Sequence, residues 1–237
     1  WIILSLIGAL PMYLTGEFPS YIDALFETIS GFTTTGSSIL SDVAALSRGT
    51  AFWRCFTHWI GGMGVLVFIM AVMPLSDSSS MHLMRAESPG PSVGKLVPKV
   101  KTTAMILYGI YVVFTVIEII ALLIAGMPLF DSMTLTFGTV GTGGFGLLNS
   151  SIASYSTAVQ IIITVFMIIC SINFTVYYMF LIKRPKEALM CEEMRYYLLI
   201  VFGSALLIAF NIRASFASFG KAFQQAIFQV ASVISTT

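Results

Sequence analysis

The chain has 237 residues, of which 57% are hydrophobic and 10% are charged, and its mean hydropathy is +0.92. This composition excludes an ordinary soluble globular domain and predicts a polytopic membrane protein. The 12 basic and 11 acidic residues give a formal net charge of +1. Such a balance lacks the basic field that nucleic-acid binding needs, so no nucleic-acid partner is expected.

Five apolar runs make up most of the chain. In chain order they cover residues 1–14, 51–74, 102–125, 157–182 and 196–212. The middle three have the 20 or so apolar residues that a membrane-spanning helix needs, and the last is somewhat short. The first opens the chain without Met, a basic region or a cleavage site, and we interpret it as the tail of a truncated helix.

Three short segments between these runs resemble one another. They are ALFETISGFTTTG at residues 24–36, SMTLTFGTVGTGG at 132–144 and AIFQVASVISTT at 226–237. Alignment of Thr35 with Thr142 and Thr237 gives offsets of 107 and 95 residues, and such recurrence predicts an internal repeat. Each segment is amphipathic and ends in a Thr/Gly or Ser/Thr stretch. This is the layout of a pore helix that leads into an ion filter.

The physical chemistry of these segments suits that role. About twelve residues cannot cross a bilayer as a helix, and non-helical backbone at membrane depth is tolerated only where protein buries it or water lines it. The carbonyl and hydroxyl oxygens of a Thr/Gly stretch can replace the water shell of a dehydrated cation. The partial negative charge at the C-terminal end of the pore helix would favour the same cation.

Basic residues set the expected orientation in the membrane. Eight of the twelve lie in two linkers, Arg85, Lys95, Lys99 and Lys101 in one and Lys183, Arg184, Lys186 and Arg195 in the other. By the positive-inside rule, linkers 75–101 and 183–195 are cytoplasmic and the Thr/Gly stretches lie on the outer side. We therefore predict pore repeats at 1–74, with a truncated first helix, at 102–182, and at 196–237, truncated in its filter.

Four longer motifs carry a family resemblance. SGFTTTGSS, FWRCFTHWIGGMGVLVFIMAVMP, MHLMRAESPGP and TVGTGGFG resemble the Trk/Ktr/HKT superfamily of potassium transporters, most of all its bacterial Trk-type membrane subunit. The resemblance covers essentially the whole chain. It implies an all-α polytopic membrane protein that is a fragment of a four-repeat pore, with helix, pore loop, helix units resembling a potassium channel.

The same resemblance implies a function and partners. The expected activity is uptake of K⁺, the transported ion, with no cofactor bound by this chain. The expected setting is the lipid bilayer of a bacterial plasma (inner) membrane. A homodimer of membrane subunits, bound on its cytoplasmic side to a nucleotide-binding regulatory subunit, is also implied.

Filter residues follow by position from the resemblance. They are Thr33, Thr34, Thr35, Gly36 and Ser37 in the first repeat, Val140, Gly141, Thr142, Gly143 and Gly144 in the second, and Ser235, Thr236 and Thr237 in the third. The K⁺ ligands are expected to be backbone carbonyls around Thr34, Thr35, Gly141, Thr142, Thr236 and Thr237. Gly36 takes the place of the family's filter glycine, with Gly143 as its counterpart. Because Ser at this position goes with sodium preference in plant relatives, Gly36 indicates a potassium-permeable type.

A few polar residues lie inside the apolar runs. Glu118 is interpreted either as an ion or proton ligand or as a carboxyl hydrogen-bonded to a neighbouring helix. For Asn173, interhelical hydrogen bonding is favoured over ion contact. Arg54 and His58 are interpreted as interfacial. Three glycines of run 51–74 are interpreted as helix-packing positions, namely Gly61, Gly62 and Gly64.

Other classes of function find little support in the sequence. No nucleophile, acid–base pair or metal-binding set can be recognised, so the chain is not expected to be an enzyme, and an intramembrane hydrolase is the disfavoured alternative. The GTGGFG stretch does not follow a strand, as a dinucleotide-binding loop must. A non-conducting anchoring or assembly subunit and a sodium-permeable member of the same superfamily remain as alternatives.

Overall fold

The computed structural model describes residues 1–64 and 100–237, and these ranges fold into α-helices joined by loops, with one 3₁₀ turn at Arg213–Ser215. The predicted all-α class is confirmed. Before the gap the helices are α1 (Ile2–Leu14), α2 (Tyr21–Phe32) and α3 (Arg48–Gly62). After it they are α4 (Val100–Ile124), α5 (Leu129–Val140), α6 (Thr157–Cys170), α7 (Phe174–Leu181), α8 (Pro185–Leu189), α9 (Glu192–Ile212) and α10 (Phe219–Ser235).

Serine side chains begin four of these helices. In each case the hydroxyl oxygen accepts a bond from the backbone N–H three residues later, which satisfies one of the free donors of a helix start. The four capping residues are Ser20 of α2, Ser47 of α3, Ser156 of α6 and Ser218 of α10. The short pore helices α2 and α10 are thus delimited by local chemistry as well as by packing.

Two of the described helices are long and apolar enough to cross a membrane. Residues Ala104–Ile124 have a mean hydropathy of 2.4 and residues Glu192–Ser215 one of 1.9. The second of these is longer than predicted, because its helix begins at Glu192 rather than at residue 196. The predicted run 51–74 extends beyond the described residues after position 64.

The predicted run 157–182 is not one continuous helix. It is divided into α6 and α7, whose axes differ by 85°. Asn173 lies at the break, where its Oδ1 accepts from the Thr175 amide at 2.9 Å and its Nδ2 donates to Glu193 at 3.2 Å. Asn side chains that bond to nearby backbone compete with helix continuation, so a helix start replaces the expected helix interior. If the bent pair counts as one span, the described residues contain three.

The helices repeat one packing arrangement. Pore helix α2 packs against α1 and α3, and pore helix α5 packs against α4 and α6. The helix that follows a pore helix is called its inner helix here. Each of the inner helices α3 and α6 also contacts the next pore helix along the chain, so that α3 packs on α5 and α6 packs on α10. The inner helices α3 and α6 therefore each lie between two pore helices, and successive repeats are joined side by side.

The outward faces of the long helices are apolar. Leu207 of α9 is 75% exposed and Val113 of α4 is 52% exposed, while the opposite faces pack into apolar clusters around Leu122 and Tyr111. A helix that presents large aliphatic side chains outward over its length is typical of contact with lipid.

Candidate ion filter

The three pore helices end in the same backbone turn. Thr34, Thr142 and Thr236 have φ angles of 54°, 52° and 59°, a left-handed conformation that is unusual for a β-branched residue. The following amide in each repeat bonds to the carbonyl five residues earlier, as in a Schellman helix end. These bonds join Thr35 to Ser30, Gly143 to Gly138 and Thr237 to Ser232. Three recurrences show that the repeats share one chain path into the filter.

This geometry changes the predicted register of the second repeat. The shared turn pairs Thr142 with Thr34, an offset of 108 residues, and helices α2 and α5 begin and end with the same offset. The structural counterpart of Gly36 (φ 76°) is therefore Gly144 (φ 82°) and not Gly143. The sequence alignment matched Thr35 to Thr142 because both are threonine. In the structure, α2 and α5 have the same length, so the residues that follow them correspond at an offset of 108.

Neighbouring filter stretches are in direct contact. A Cβ atom on Gly36 would overlap the carbonyl oxygen of Gly143, and one on Gly144 would lie 2.5 Å from the carbonyl carbon of Thr237. In the corrected register these are the same contact made twice, between the first and second repeats and between the second and third. Both glycines therefore combine a left-handed φ with a close approach of backbone, and a side chain fits neither.

Backbone carbonyls are the candidate cation ligands, because several threonine hydroxyls of the filter already take part in hydrogen bonds within the protein. The hydroxyls of Thr33 and Thr35 bond to each other at 2.7 Å, and the Thr236 hydroxyl donates within the chain at 2.6 Å. Within residues 1–64 and 100–237 no group of three or more His, Cys, Asp or Glu side chains could hold a metal ion. Backbone carbonyl oxygens are the ligands that known selectivity filters offer to a permeating cation.

A buried ion pair that the sequence analysis missed lies behind the filter. Arg54 of α3 donates from Nε to Glu27 Oε1 of α2 at 2.5 Å, and the two side chains are 3% and 0% exposed. The interpretation of Arg54 as interfacial is therefore wrong. The sequence did contain a signal for this pair, since Glu27 is an acidic residue inside the first pore segment and Arg54 is a basic residue inside an apolar run. Only the packing of α2 against α3 shows that they meet.

His58 is also buried rather than interfacial. Its ring is 0% exposed and stacks on Phe145, with centroids 3.9 Å apart. Its Nδ1 accepts a bond from the Phe145 amide at 3.3 Å. A Cβ atom on Gly143 would overlap this ring. His58 therefore packs directly against the backbone of the second filter stretch, for which Gly143 leaves room.

The remaining polar and glycine predictions have different outcomes. Glu118 is fully buried on α4 beside the Thr139 side chain of α5, and no cation among the described residues pairs with its carboxyl group. Asn173 bonds between helices, as favoured, although it does so at a helix start. The helix-packing interpretation holds for Gly61 and Gly62, since a Cβ atom would overlap the Phe32 carbonyl at one and meet Gly141 at the other.

Comparisons with known proteins find similar sequences in one family. The family described as cation transport protein, TrkH, matches residues 1–236. The Trk system potassium uptake protein TrkG of Escherichia coli is 34% identical over 90% of this chain and 44% of its own length. TrkH of Salmonella typhimurium is 35% identical over 100% of this chain and 50% of its own length.

A solved structure has the same fold. The crystal structure of the potassium transporter TrkH from Vibrio parahaemolyticus superposes with a TM-score of 0.80 and 30% sequence identity, covering 98% of this chain and 48% of the other. The chain spans about half the length of the curated relatives that it matches. Because the family match extends over nearly every residue, the chain belongs to the TrkH family of cation transport proteins.

Proposed function

We propose that the chain forms part of the ion-conducting pore of a potassium uptake transporter. The observation that carries this proposal is the left-handed threonine turn at the end of each described pore helix, with the three filter stretches in contact side by side. Strained backbone at matched positions is typical of functional sites. The names of the relatives, which are potassium uptake proteins, support potassium as the transported ion.

Backbone carbonyls around the shared turn are the proposed potassium ligands. The set comprises Thr34, Thr35, Gly141, Thr142, Thr236 and Thr237, and the corrected register adds Gly143 as the counterpart of Thr35. A ring of carbonyl oxygens can replace the hydration shell of a permeating cation without holding it permanently. Gly36 and Gly144 let neighbouring carbonyls approach because they carry no side chain.

The wider assembly is proposed on the family resemblance. We expect a multi-pass protein of a bacterial inner membrane that forms a homodimer and binds a cytosolic nucleotide-binding regulatory subunit. The basic linkers support a cytoplasmic docking surface for that subunit. Arg85 and Lys95 of linker 75–101 lie outside the described residues. Reversing their charges should weaken binding in a pull-down with the purified regulator, and unchanged binding would remove this linker from the docking surface.

The experiment that tests the transport function is a flux measurement on the full-length protein in proteoliposomes, with its regulator present. Wild type should pass rubidium in preference to sodium, and Gly36→Ser should weaken that preference. Gly49→Ser is the matched control, since no atom lies within 4 Å of its added Cβ. A wild type that conducts neither ion would favour the anchoring alternative, and one that prefers sodium would favour the sodium-permeable alternative.

A further inference from the structure

The two members of the buried ion pair contact different filter stretches. Glu27 accepts from the Ser38 hydroxyl at 2.8 Å and from the Ile39 amide at 3.1 Å, directly after the first filter. Arg54 donates to the Gly146 carbonyl at 3.1 Å, directly after the second filter. The pair therefore connects the outer ends of two neighbouring filters through two side chains.

Aromatic contacts strengthen the attachment to the second filter. The Arg54 guanidinium lies 3.6 Å from the centre of the Phe145 ring, where a cation is attracted by the ring face. His58 stacks on the same ring and accepts from the Phe145 amide. Phe145 is 3% exposed. Its ring contacts Arg54 and His58 of α3, and its backbone amide bonds to His58, so α3 fixes both the side chain and the backbone of this residue.

The second repeat shows that the fold does not require a charged pair at this place. The 108-residue offset places Leu135 at the position of Glu27. The serine caps of α3 and α6, Ser47 and Ser156, place Ile163 at the position of Arg54. Leu135 and Ile163 are buried in one apolar cluster and line a cavity of about 260 Å³.

This difference argues for a role beyond stability. Replacing a buried ion pair by apolar residues is often neutral or stabilising, because desolvation of the charges offsets their attraction. An apolar pair packs the same helices together in the second repeat, yet it cannot bond to the backbone that follows a filter. The charged pair thus differs from the apolar pair by its four hydrogen bonds, three of which involve the chain after a filter or its side chains at Ser38, Ile39 and Gly146.

We propose that Glu27 and Arg54 are positioning residues that set the spacing of the first and second filter stretches and thereby the ion selectivity of the pore. The inference rests on the proposed transport function. The pair lies behind the filter and does not contact the ion. It acts by fixing the backbone at Ser38–Ile39 and at Phe145–Gly146, so that the carbonyls of the two filters keep one separation.

The test copies the second repeat into the first. The double variant Glu27→Leu/Arg54→Ile in the full-length protein should assemble and show a thermal midpoint close to that of wild type. Its rubidium-over-sodium flux ratio should fall by about tenfold, a loss of about 1.4 kcal/mol in discrimination between the two ions. Arg48→Gln is the matched control, because it removes an exposed cation from the same helix α3. The ring contact of Arg48 is with Phe130 at the start of α5 and not with a filter stretch, so the ratio should stay unchanged.

A second variant covers failure of the double variant to assemble. Arg54→Lys keeps the positive charge for Glu27 but loses the planar fork that also bonds Gly146 and covers Phe145, so the flux ratio should fall here as well. Wild-type selectivity in either assembled variant would overturn the positioning role. If wild type itself did not distinguish rubidium from sodium, the proposed transport function would fail first, and the two failures are thus distinguishable.

Discussion

Two buried glutamates illustrate how environment decides the role of a residue. Glu27 bonds to Arg54, to a hydroxyl and to a backbone amide, whereas Glu118 lies beside the Thr139 side chain and has no cationic partner among the described residues. Removing one member of a buried ion pair leaves the other charge uncompensated, which costs far more than the pair contributes. A carboxyl group without a cationic neighbour has no such partner to lose.

The same substitution at both sites should therefore have different effects. We expect Glu27→Gln to destabilise the protein by about 3 kcal/mol, because Arg54 stays buried without its counter-charge. Glu118→Gln should change stability by less than about 1 kcal/mol, because no buried cation loses its counter-charge and an amide of the same shape can still bond to Thr139. Thermal unfolding in detergent measures the stability of both variants. Equal destabilisation would contradict the conclusion that Glu27, and not Glu118, neutralises a buried cation.

Glycine substitutions test the corrected filter register. Gly144→Ser should weaken rubidium selectivity as strongly as Gly36→Ser, since both glycines have a left-handed φ and both meet the neighbouring filter backbone. An L-residue in that conformation is strained and its Cβ displaces the facing carbonyl. The rubidium-over-sodium flux ratios of the two variants, with Gly49→Ser as control, test this register. An unaffected Gly144→Ser protein would restore the 107-residue alignment.

At the scale of elements, local chemistry places the helix starts and packing places the helices. Serine caps precede α2, α3, α6 and α10, and the side chain of Asn173 begins α7 and so helps to break a predicted span. A pore helix of 12 residues is too short to be stable alone in water, and α2 depends on its cap and on its contacts with α1 and α3.

Loss of the cap of the first pore helix should be measurable. Ser20→Ala removes the acceptor for the Asp23 amide, which lies at 3.2 Å, and we expect a loss of about 1 kcal/mol in stability. Ser20→Asn keeps a side-chain acceptor and should restore most of the loss. Thermal unfolding of the three proteins provides the measurement. Similar midpoints for Ser20→Ala and wild type would mean that packing alone fixes the start of α2.

At the scale of the whole molecule, each inner helix is shared by two repeats. Helix α3 carries Arg54 and His58 to the second filter while it packs against the first pore helix. Asn149, in the loop of the second repeat, bonds to the first repeat. Its side chain accepts from the Val43 amide and donates to Asp42, both at 2.8 Å. The filter is thus positioned by contacts between repeats and not by each repeat alone.

The predicted orientation can be tested by cysteine labelling of whole cells. Ser41→Cys, in the exposed loop after the first filter, should react with a membrane-impermeant maleimide from outside. Lys186→Cys, exposed in the second basic linker, should react only after the membrane is opened. The background should carry Cys191→Ser, because Cys55 and Cys170 are buried but Cys191 is partly exposed. The opposite labelling pattern would invert the topology.

The sequence by itself determined the class of protein, the apolar runs and the recurrence of pore segments, because hydropathy and local turn chemistry act over a few residues. It also aligned the first two Thr/Gly stretches to within one residue of the register that their shared backbone turns show. Tertiary structure decided the register of the second filter, the break before α7 and the partners of Glu27, Arg54 and His58. These depend on helix length and on contacts between distant segments, and a one-dimensional pattern cannot show which buried charges meet.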